Sequence, residues 1–205
     1  MIISPSIASA NQLCLEKEVR RIHNSYEDLH IDIEDGNFIP NVTFGMKTIK
    51  ALRSITNVPF SFHLMVKNPD SYLKDIFELN PSIVFVHVES IDYISEFIHR
   101  VNAQGIKCGL AFNPTTPVEP YKYLLNQVDG VLILTSEPDG KEQIFIPEMV
   151  DKIRMVRVFN QKVNLWADGA INENKLELLK SIGVSHVVMG RQIFHTGSYN
   201  ATIES

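Results

Sequence analysis

His30 and Asp32 interrupt a run of isoleucines in the stretch His30-Ile31-Asp32-Ile33. Residues i and i+2 of a strand share a face, so the imidazole and the carboxylate point one way and Ile31 and Ile33 the other. Metal-competent side chains on the inner face of a strand are costly to desolvate unless something is bound there. Similar groups recur where other apolar runs end: His63 in His63-Leu64-Met65 and Asp168 in Asp168-Gly169. Brought together, two imidazoles and two carboxylates suit a borderline divalent cation, Zn²⁺ foremost, with Mn²⁺, Co²⁺ or Fe²⁺ acceptable. Any one of them alone reads more readily as a hydrogen-bonded core residue. Four of them, at the ends of three strands, reverse that reading.

The elements that must position them follow from the hydrophobic pattern. Short apolar runs predict strands at Ile2–Ile7, Leu29–Ile33, Val58–Met65, Ile83–Val88, Ile106–Phe112, Gly130–Thr135, Val163–Ala167 and His186–Met189. Amphipathic stretches between them predict helices at Asn11–His23, Met46–Ser54, Pro69–Leu79, Tyr93–Gln104, Val118–Asn126, Pro147–Phe159 and Asn172–Ser181, and a last short one running towards Tyr199. Regular strand–helix alternation implies parallel strands joined by right-handed crossovers. Eight such units close into a (β/α)₈ barrel, with its site at the C-terminal ends of the strands. An open doubly wound sheet would want a Gly-rich phosphate loop after the first strand, and Ser4-Pro5-Ser6-Ile7 is not one.

Size and composition agree with this. The chain has 205 residues, 44% hydrophobic and 21% charged, which suits one barrel domain over residues 1–205. A formal net charge of -5 and the lack of any dense Lys/Arg run exclude a nucleic-acid partner. No apolar run approaches the roughly 20 residues of a membrane span. The opening Met1-Ile2-Ile3-Ser4-Pro5 is no signal peptide, and Cys14 and Cys108 have no metal spacing, so the expectation is a reduced, cytoplasmic protein. Association into a homo-oligomer is compatible with a barrel of this size.

Over nearly its whole length the chain resembles the ribulose-phosphate 3-epimerase family. The matching pieces are Pro5-Ser6-Ile7, His30-Ile31-Asp32, Asp35-Gly36, Phe38-Ile39-Pro40-Asn41, His63-Leu64-Met65, His87 with Glu89, Asn113-Pro114, Thr116-Pro117, Phe145-Ile146-Pro147 and Asp168-Gly169. More narrowly it is similar to a divergent branch that reads Asp-Ile-Glu-Asp where the main branch reads Asp-Val-Met-Asp. The resemblance implies a TIM barrel of the ribulose-phosphate-binding type and a divalent metal held by His30, Asp32, His63 and Asp168. It also implies that Asp32 and Asp168 are the acid and base of a sugar-phosphate 3-epimerase acting through an enediolate. Ser6, Met65, Gly169, Gly190 and Arg191 would line the substrate site, although Ser6 reads equally well as a turn residue beside Pro5.

Other polar residues carry weaker signals. Asp35 before Gly36 reads as a turn former rather than a catalyst. His87 and Glu89 share a strand face and could line the pocket or support a ligand from behind. Asn113 could cap the next helix or touch substrate. Trp166 is expected to fill the barrel interior, and His23, His99, His186 and His195 to be structural or solvent-facing.

Departures from the family concentrate at the phosphate end. Where its members read Pro-Gly-Phe-Gly-Gly-Gln after the sixth strand, this chain reads Pro138-Asp139-Gly140-Lys141-Glu142-Gln143; where they read Asp-Gly-Gly, it has Asp168-Gly169-Ala170; and Gly190 is followed by Arg191. Arg191 is either an oxyanion clamp or the partner of Asp139 or Glu142, and Lys141 is a weaker anion ligand. Glu34 stands where the family has Met. The altered loops leave open an epimerase or lyase acting on a different or unphosphorylated ketose, or a catalytically silent sugar-phosphate binder.

Overall fold

A computed structural model describes residues 1–138 and 143–195. Eight parallel strands, β1 (Ile2–Pro5), β2 (Leu29–Glu34), β3 (Phe60–Met65), β4 (Ile83–His87), β5 (Lys107–Phe112), β6 (Gly130–Leu134), β7 (Asn164–Asp168) and β8 (His186–Met189), form one sheet. Their order is β1-β8-β7-β6-β5-β4-β3-β2. A parallel bridge from Ser6 to His30 joins the two ends, so the sheet closes as a (β/α)₈ TIM barrel. Helices α1 (Leu15–Ile22), α2 (Met46–Arg53), α3 (Asp70–Phe77), α4 (Ile94–Asn102), α5 (Met149–Phe159), α6 (Glu173–Ser181) and α7 (Arg191–Phe194) lie between the strands or follow the last. No helix among the described residues is long and apolar enough to cross a membrane.

Three expectations are adjusted. The first strand ends at Pro5, and Ile7–Ser9 is a 3₁₀ turn that starts the turn into α1. Asn11 caps as expected, accepting the Leu13 N–H at 3.0 Å, but it caps a 3₁₀ turn at Gln12–Cys14, and the helix proper starts at Leu15. The crossover between β5 and β6 is a 3₁₀ helix over Glu119–Leu124. Proline at its start removes a backbone donor, and the connection is too short to recover the cost of nucleating a longer helix. It begins after Val118, so Asn113 caps nothing there; its backbone N–H goes to Glu89.

Two apolar layers hold the barrel. Outward-facing residues such as Ile31, Phe62, Val84 and Leu110 are buried against the helices. Inside, Ile83, Phe85, Ala111, Leu132, Leu134, Trp166 and Val188 fill the barrel beneath its mouth. Gly109 and Gly130 on the neighbouring strands make room for the Phe85 ring, since a Cβ at either would run into it. Trp166 is buried, as expected, edge-on to Phe85 and stacked on His186. Cys14 is exposed and Cys108 buried, both as free thiols.

Candidate active site

Period-two alternation sets the site. Asp32 and Glu34 on β2, His63 and Met65 on β3 and Asp168 on β7 project inward at the C-terminal ends of their strands, with Asp32 beside His63 in the β2–β3 register. Asp32, Glu34, Met65 and Asp168 open onto a cavity of about 370 Å³ lined also by Ser6, Asn41, Gln143, Gly169, Gly190 and Arg191. Of the residues anticipated for the site, Ser6, Asp32, Met65, Asp168, Gly169, Gly190 and Arg191 line this cavity. His30 and His63, both fully buried, form the floor beneath the two carboxylates.

One ligand atom from each of His30, Asp32, His63 and Asp168 can be chosen so that all four lie within 4.8 Å of one another. His30 Nε2 stands 3.4 Å from Asp32 Oδ1, and His63 Nδ1 stands 3.1 Å from Asp32 Oδ1 and 3.5 Å from Asp168 Oδ2. Metal–ligand bonds of about 2.0–2.2 Å in a tetrahedral site imply ligand–ligand edges of roughly 3.3–3.6 Å. His30 Nε2 is buried without a hydrogen-bond partner, an orphaned lone pair that a cation would satisfy. The donor set fits a divalent metal.

Electrostatics follow from the packing. Burial alone would push the Asp32 carboxyl up, but the His30 and His63 imidazoles outweigh it and hold Asp32 far below the usual carboxylate range. Burial opposes charge on His63, yet the two carboxylates beside it push it up to about 9. Glu34 is raised to about 7, by burial and then by the charge of Asp32, while a 2.5 Å hydrogen bond from Asn41 Nδ2 pulls it back. The β2 carbonyl of Asp32 accepts from Thr43 Oγ1 at 2.6 Å, which ties the loop after β2 to the strand end.

The weaker candidates sort themselves. Asp35 is a turn former: its carboxylate accepts the N–H groups of Asn37, Phe38 and Lys67 at 2.8, 2.9 and 2.9 Å, around Gly36 at φ 74. His87 and Glu89 stand behind His63 rather than in the cavity, with His87 Nε2 2.9 Å from His63 Nε2 and Glu89 Oε2 2.9 Å from His87 Nδ1. Arg191 donates to Gln143 Oε1 at 3.2 Å. Lys141 and the alternative partners Asp139 and Glu142 lie outside the described residues, as does the end of the last helix near Tyr199.

In the loop after β7, Ala170 has a glycine-like backbone. Its φ is 55, beside Gly169 at φ 110 with Ser136 packed against it. Alanine thus stands in a left-handed conformation that glycine adopts more readily.

Asp28 and Ser61 went unnoticed in the sequence. Each sits two residues before a candidate ligand, His30 and His63, and each is buried on the same inward face. Carrying the alternation back by one step was the signal available.

Comparison with known proteins decides the family. The ribulose-phosphate 3-epimerase family model matches residues 2–194. The chain belongs to the ribulose-phosphate 3-epimerase family. It is 31% identical over 198 residues to the ribulose-phosphate 3-epimerase of Bacillus subtilis, covering 94% of this chain and 91% of that one. It is 34% identical to the Mycobacterium bovis enzyme of that name, covering 94% and 86%. A chloroplastic ribulose-5-phosphate-3-epimerase of Arabidopsis thaliana is 33% identical over 100% of this chain and 75% of its own length. Members of this family are isomerases acting on carbohydrates. Among solved structures, a tryptophan synthase alpha-subunit from Pyrococcus furiosus superposes with a TM-score of 0.69 at 16% identity, covering 95% of this chain and 88% of that one. An orotidine 5'-phosphate decarboxylase from Pyrococcus horikoshii gives 0.67 at 13%, with 95% and 92% covered. These two likenesses speak for the barrel alone.

Proposed function

We propose that the protein is a divalent-metal-dependent 3-epimerase of a ketose phosphate, with Asp32 and Asp168 as its acid–base pair. The observation that carries this reading is the convergence of His30, Asp32, His63 and Asp168, with the unpaired His30 Nε2 among them, where Asp32 and Asp168 line one cavity. Epimerisation at C3 removes a proton next to the C2 carbonyl and leaves an enediolate with negative charge on oxygen. Its return with inverted configuration needs a donor on the opposite face. Asp32 on β2 and Asp168 on β7 approach the cavity from different walls, with β8 and β1 between them. One carboxylate takes the C3 proton and the other, protonated, delivers one from across the plane. A divalent cation held by the four residues supplies Lewis-acid stabilisation of the developing charge. Zn²⁺ fits the two nitrogens and two oxygens best, and Mn²⁺, Co²⁺ or Fe²⁺ is acceptable.

Ser6 donates to Asp32 Oδ2 at 2.5 Å and fixes the orientation of that carboxylate. Met65 supplies an apolar part of the cavity wall. Gly169, Gly190 and Arg191 receive the phosphate, with Gln143 steering the guanidinium. Glu34, held by Asn41, replaces an apolar side chain and accepts from a sugar hydroxyl. The left-handed loop and the guanidinium in the cavity favour a phosphorylated substrate over a free ketose. A silent binder has no use for two opposed carboxylates.

The test is a panel of pentulose and hexulose phosphates and their unphosphorylated counterparts, followed by NMR of the products. The metal is removed by chelation and restored one ion at a time. Epimerisation of a phosphorylated ketose that vanishes with chelation and returns with metal supports the reading; turnover of free ketoses alone, or turnover indifferent to chelation, contradicts it.

A further inference from the structure

Behind each imidazole of the site runs a chain of buried hydrogen bonds that ends on a carboxylate outside the cavity. Behind His63 the order is His63 Nε2, His87 Nε2 at 2.9 Å, then His87 Nδ1 to Glu89 Oε2 at 2.9 Å, while the Asn113 N–H donates to Glu89 Oε1 at 2.9 Å. Behind His30 the order is His30 Nδ1 to Ser61 Oγ at 2.9 Å, Ser61 Oγ to Asp28 Oδ2 at 2.5 Å, and Ser82 Oγ to Asp28 Oδ1 at 3.1 Å.

Counting protons fixes the direction of both chains. Ionised carboxylates only accept, and a neutral imidazole has one donor and one acceptor. Glu89 already accepts the Asn113 N–H on one oxygen, so His87 must donate to the other from Nδ1. His87 Nε2 is then an acceptor, and the proton between the two facing nitrogens belongs to His63 Nε2. In the metal-free site His63 Nδ1 donates to Asp32 Oδ1 at 3.1 Å; with the Nε2 proton committed to His87, Nδ1 is the nitrogen that gives up its proton to a cation and turns a lone pair towards it. On the other side, Ser61 uses its one proton on Asp28 and can only accept from His30 Nδ1–H. His30 Nε2, the orphaned atom, is then the lone pair.

We propose that Glu89 acting through His87, and Asp28 acting through Ser61, are positioning residues. They hold the two imidazoles in opposite tautomers, so that His63 presents Nδ1 and His30 presents Nε2 to the same cation. Neither carboxylate touches the substrate cavity. The physical need is plain: a buried imidazole in the wrong tautomer aims an N–H at the ion, and outer partners that fix the tautomer and raise ligand basicity are worth about 10–100-fold in metal affinity. The inference rests on the reading that His30, Asp32, His63 and Asp168 hold a metal.

The experiment measures the Zn²⁺ dissociation constant by competition with a chromophoric chelator, without substrate, for the wild type, Glu89→Gln and Ser61→Ala. Gln at position 89 keeps the shape but can turn an amide N–H towards His87, and Ala at position 61 cuts the other chain. Both variants should bind Zn²⁺ about 10–100-fold more weakly. Nitrogen-15 shifts of the histidine rings in the zinc-loaded wild type give the tautomers directly and need no variant to fold. The expected pattern is metal on Nδ1 and proton on Nε2 for His63, and the reverse for His30. Wild-type affinity in both folded variants, or both rings bound through the same type of nitrogen, overturns the inference. A wild type that binds no divalent ion instead removes the metal reading beneath it.

Discussion

Ser6 Oγ donates a 2.5 Å hydrogen bond to Asp32 Oδ2 across the seam where β1 meets β2, one step from the Ser6–His30 bridge that closes the barrel. The serine that fastens the sheet thus also orients a proposed catalytic carboxylate. A hydrogen bond to an ionised group contributes about 1.5–3 kcal/mol. Ser6→Ala should lower kcat/KM for the ketose phosphate by about 10- to 100-fold, with Ser6→Thr recovering part of the loss. Equal kcat/KM for Ser6→Ala and wild type would remove the orienting role.

Arg191 lines the cavity and donates to Gln143 Oε1. If it clamps the phosphate, Arg191→Met should raise KM for a phosphorylated ketose at least about tenfold, since a charge-assisted hydrogen bond to an oxyanion is among the strong ones. Weak turnover of the matching free ketose should not change. Steady-state kinetics on both substrates decide it, and equal losses on the two would place the guanidinium in a structural role.

Much of this was legible in the sequence because two rules act locally. The strand period puts His30 with Asp32 on one face whatever the rest of the chain does, and strand–helix alternation demands parallel strands with a common C-terminal end. Legibility failed where partners come from distant segments. Nothing local says that Ser61 sits beside His30, because the β2–β3 register sets that pairing. Nor does composition reveal that the β5–β6 crossover tightens to a 3₁₀ helix or that Glu89 serves Asn113 as well as His87. The glycine-to-alanine change at Ala170 suggested a rebuilt loop, yet the backbone there makes a left-handed turn at φ 55.

That turn has a measurable cost. A left-handed conformation costs an L-residue with a Cβ roughly 1–2 kcal/mol. Against it, glycine gives the unfolded chain more freedom. Ala170→Gly should stabilise the protein by about 0.5–1 kcal/mol in urea unfolding, with the slope unchanged. A destabilised variant would mean that the methyl group makes packing contacts worth more than the strain.

His186 lies at the opposite end of the barrel, stacked on Trp166 with ring centroids 4.0 Å apart. Burial lowers it to about 4, and the amino terminus and Lys107 add to the shift; Asp28 and Glu27 line the same small cavity, and Ser185 Oγ lies 3.0 Å from His186 Nδ1. The unfolded chain, with a pKa of about 6.5, binds this proton more readily than the folded one. The stability tied to neutral His186 is therefore fully present above about pH 6.5 and is lost progressively as pH falls towards about 4. Between pH 7.5 and about 5.5, His186→Phe should lose less stability than wild type while keeping the aromatic stack. Parallel pH profiles for the two proteins would refute the assignment.

The account turns on two carboxylates moving one hydrogen across a flattened sugar. The most direct measurement is solvent deuterium incorporation at C3 of the ketose phosphate in D₂O, followed by NMR for wild type, Asp32→Asn and Asp168→Asn, each with its bound metal quantified. Wild type should exchange C3–H in step with epimerisation. Each variant should lose epimerisation by about 100- to 10,000-fold, the range of a positioned acid or base. Metal-loaded Asp32→Asn or Asp168→Asn that epimerises C3 at the wild-type rate would contradict it.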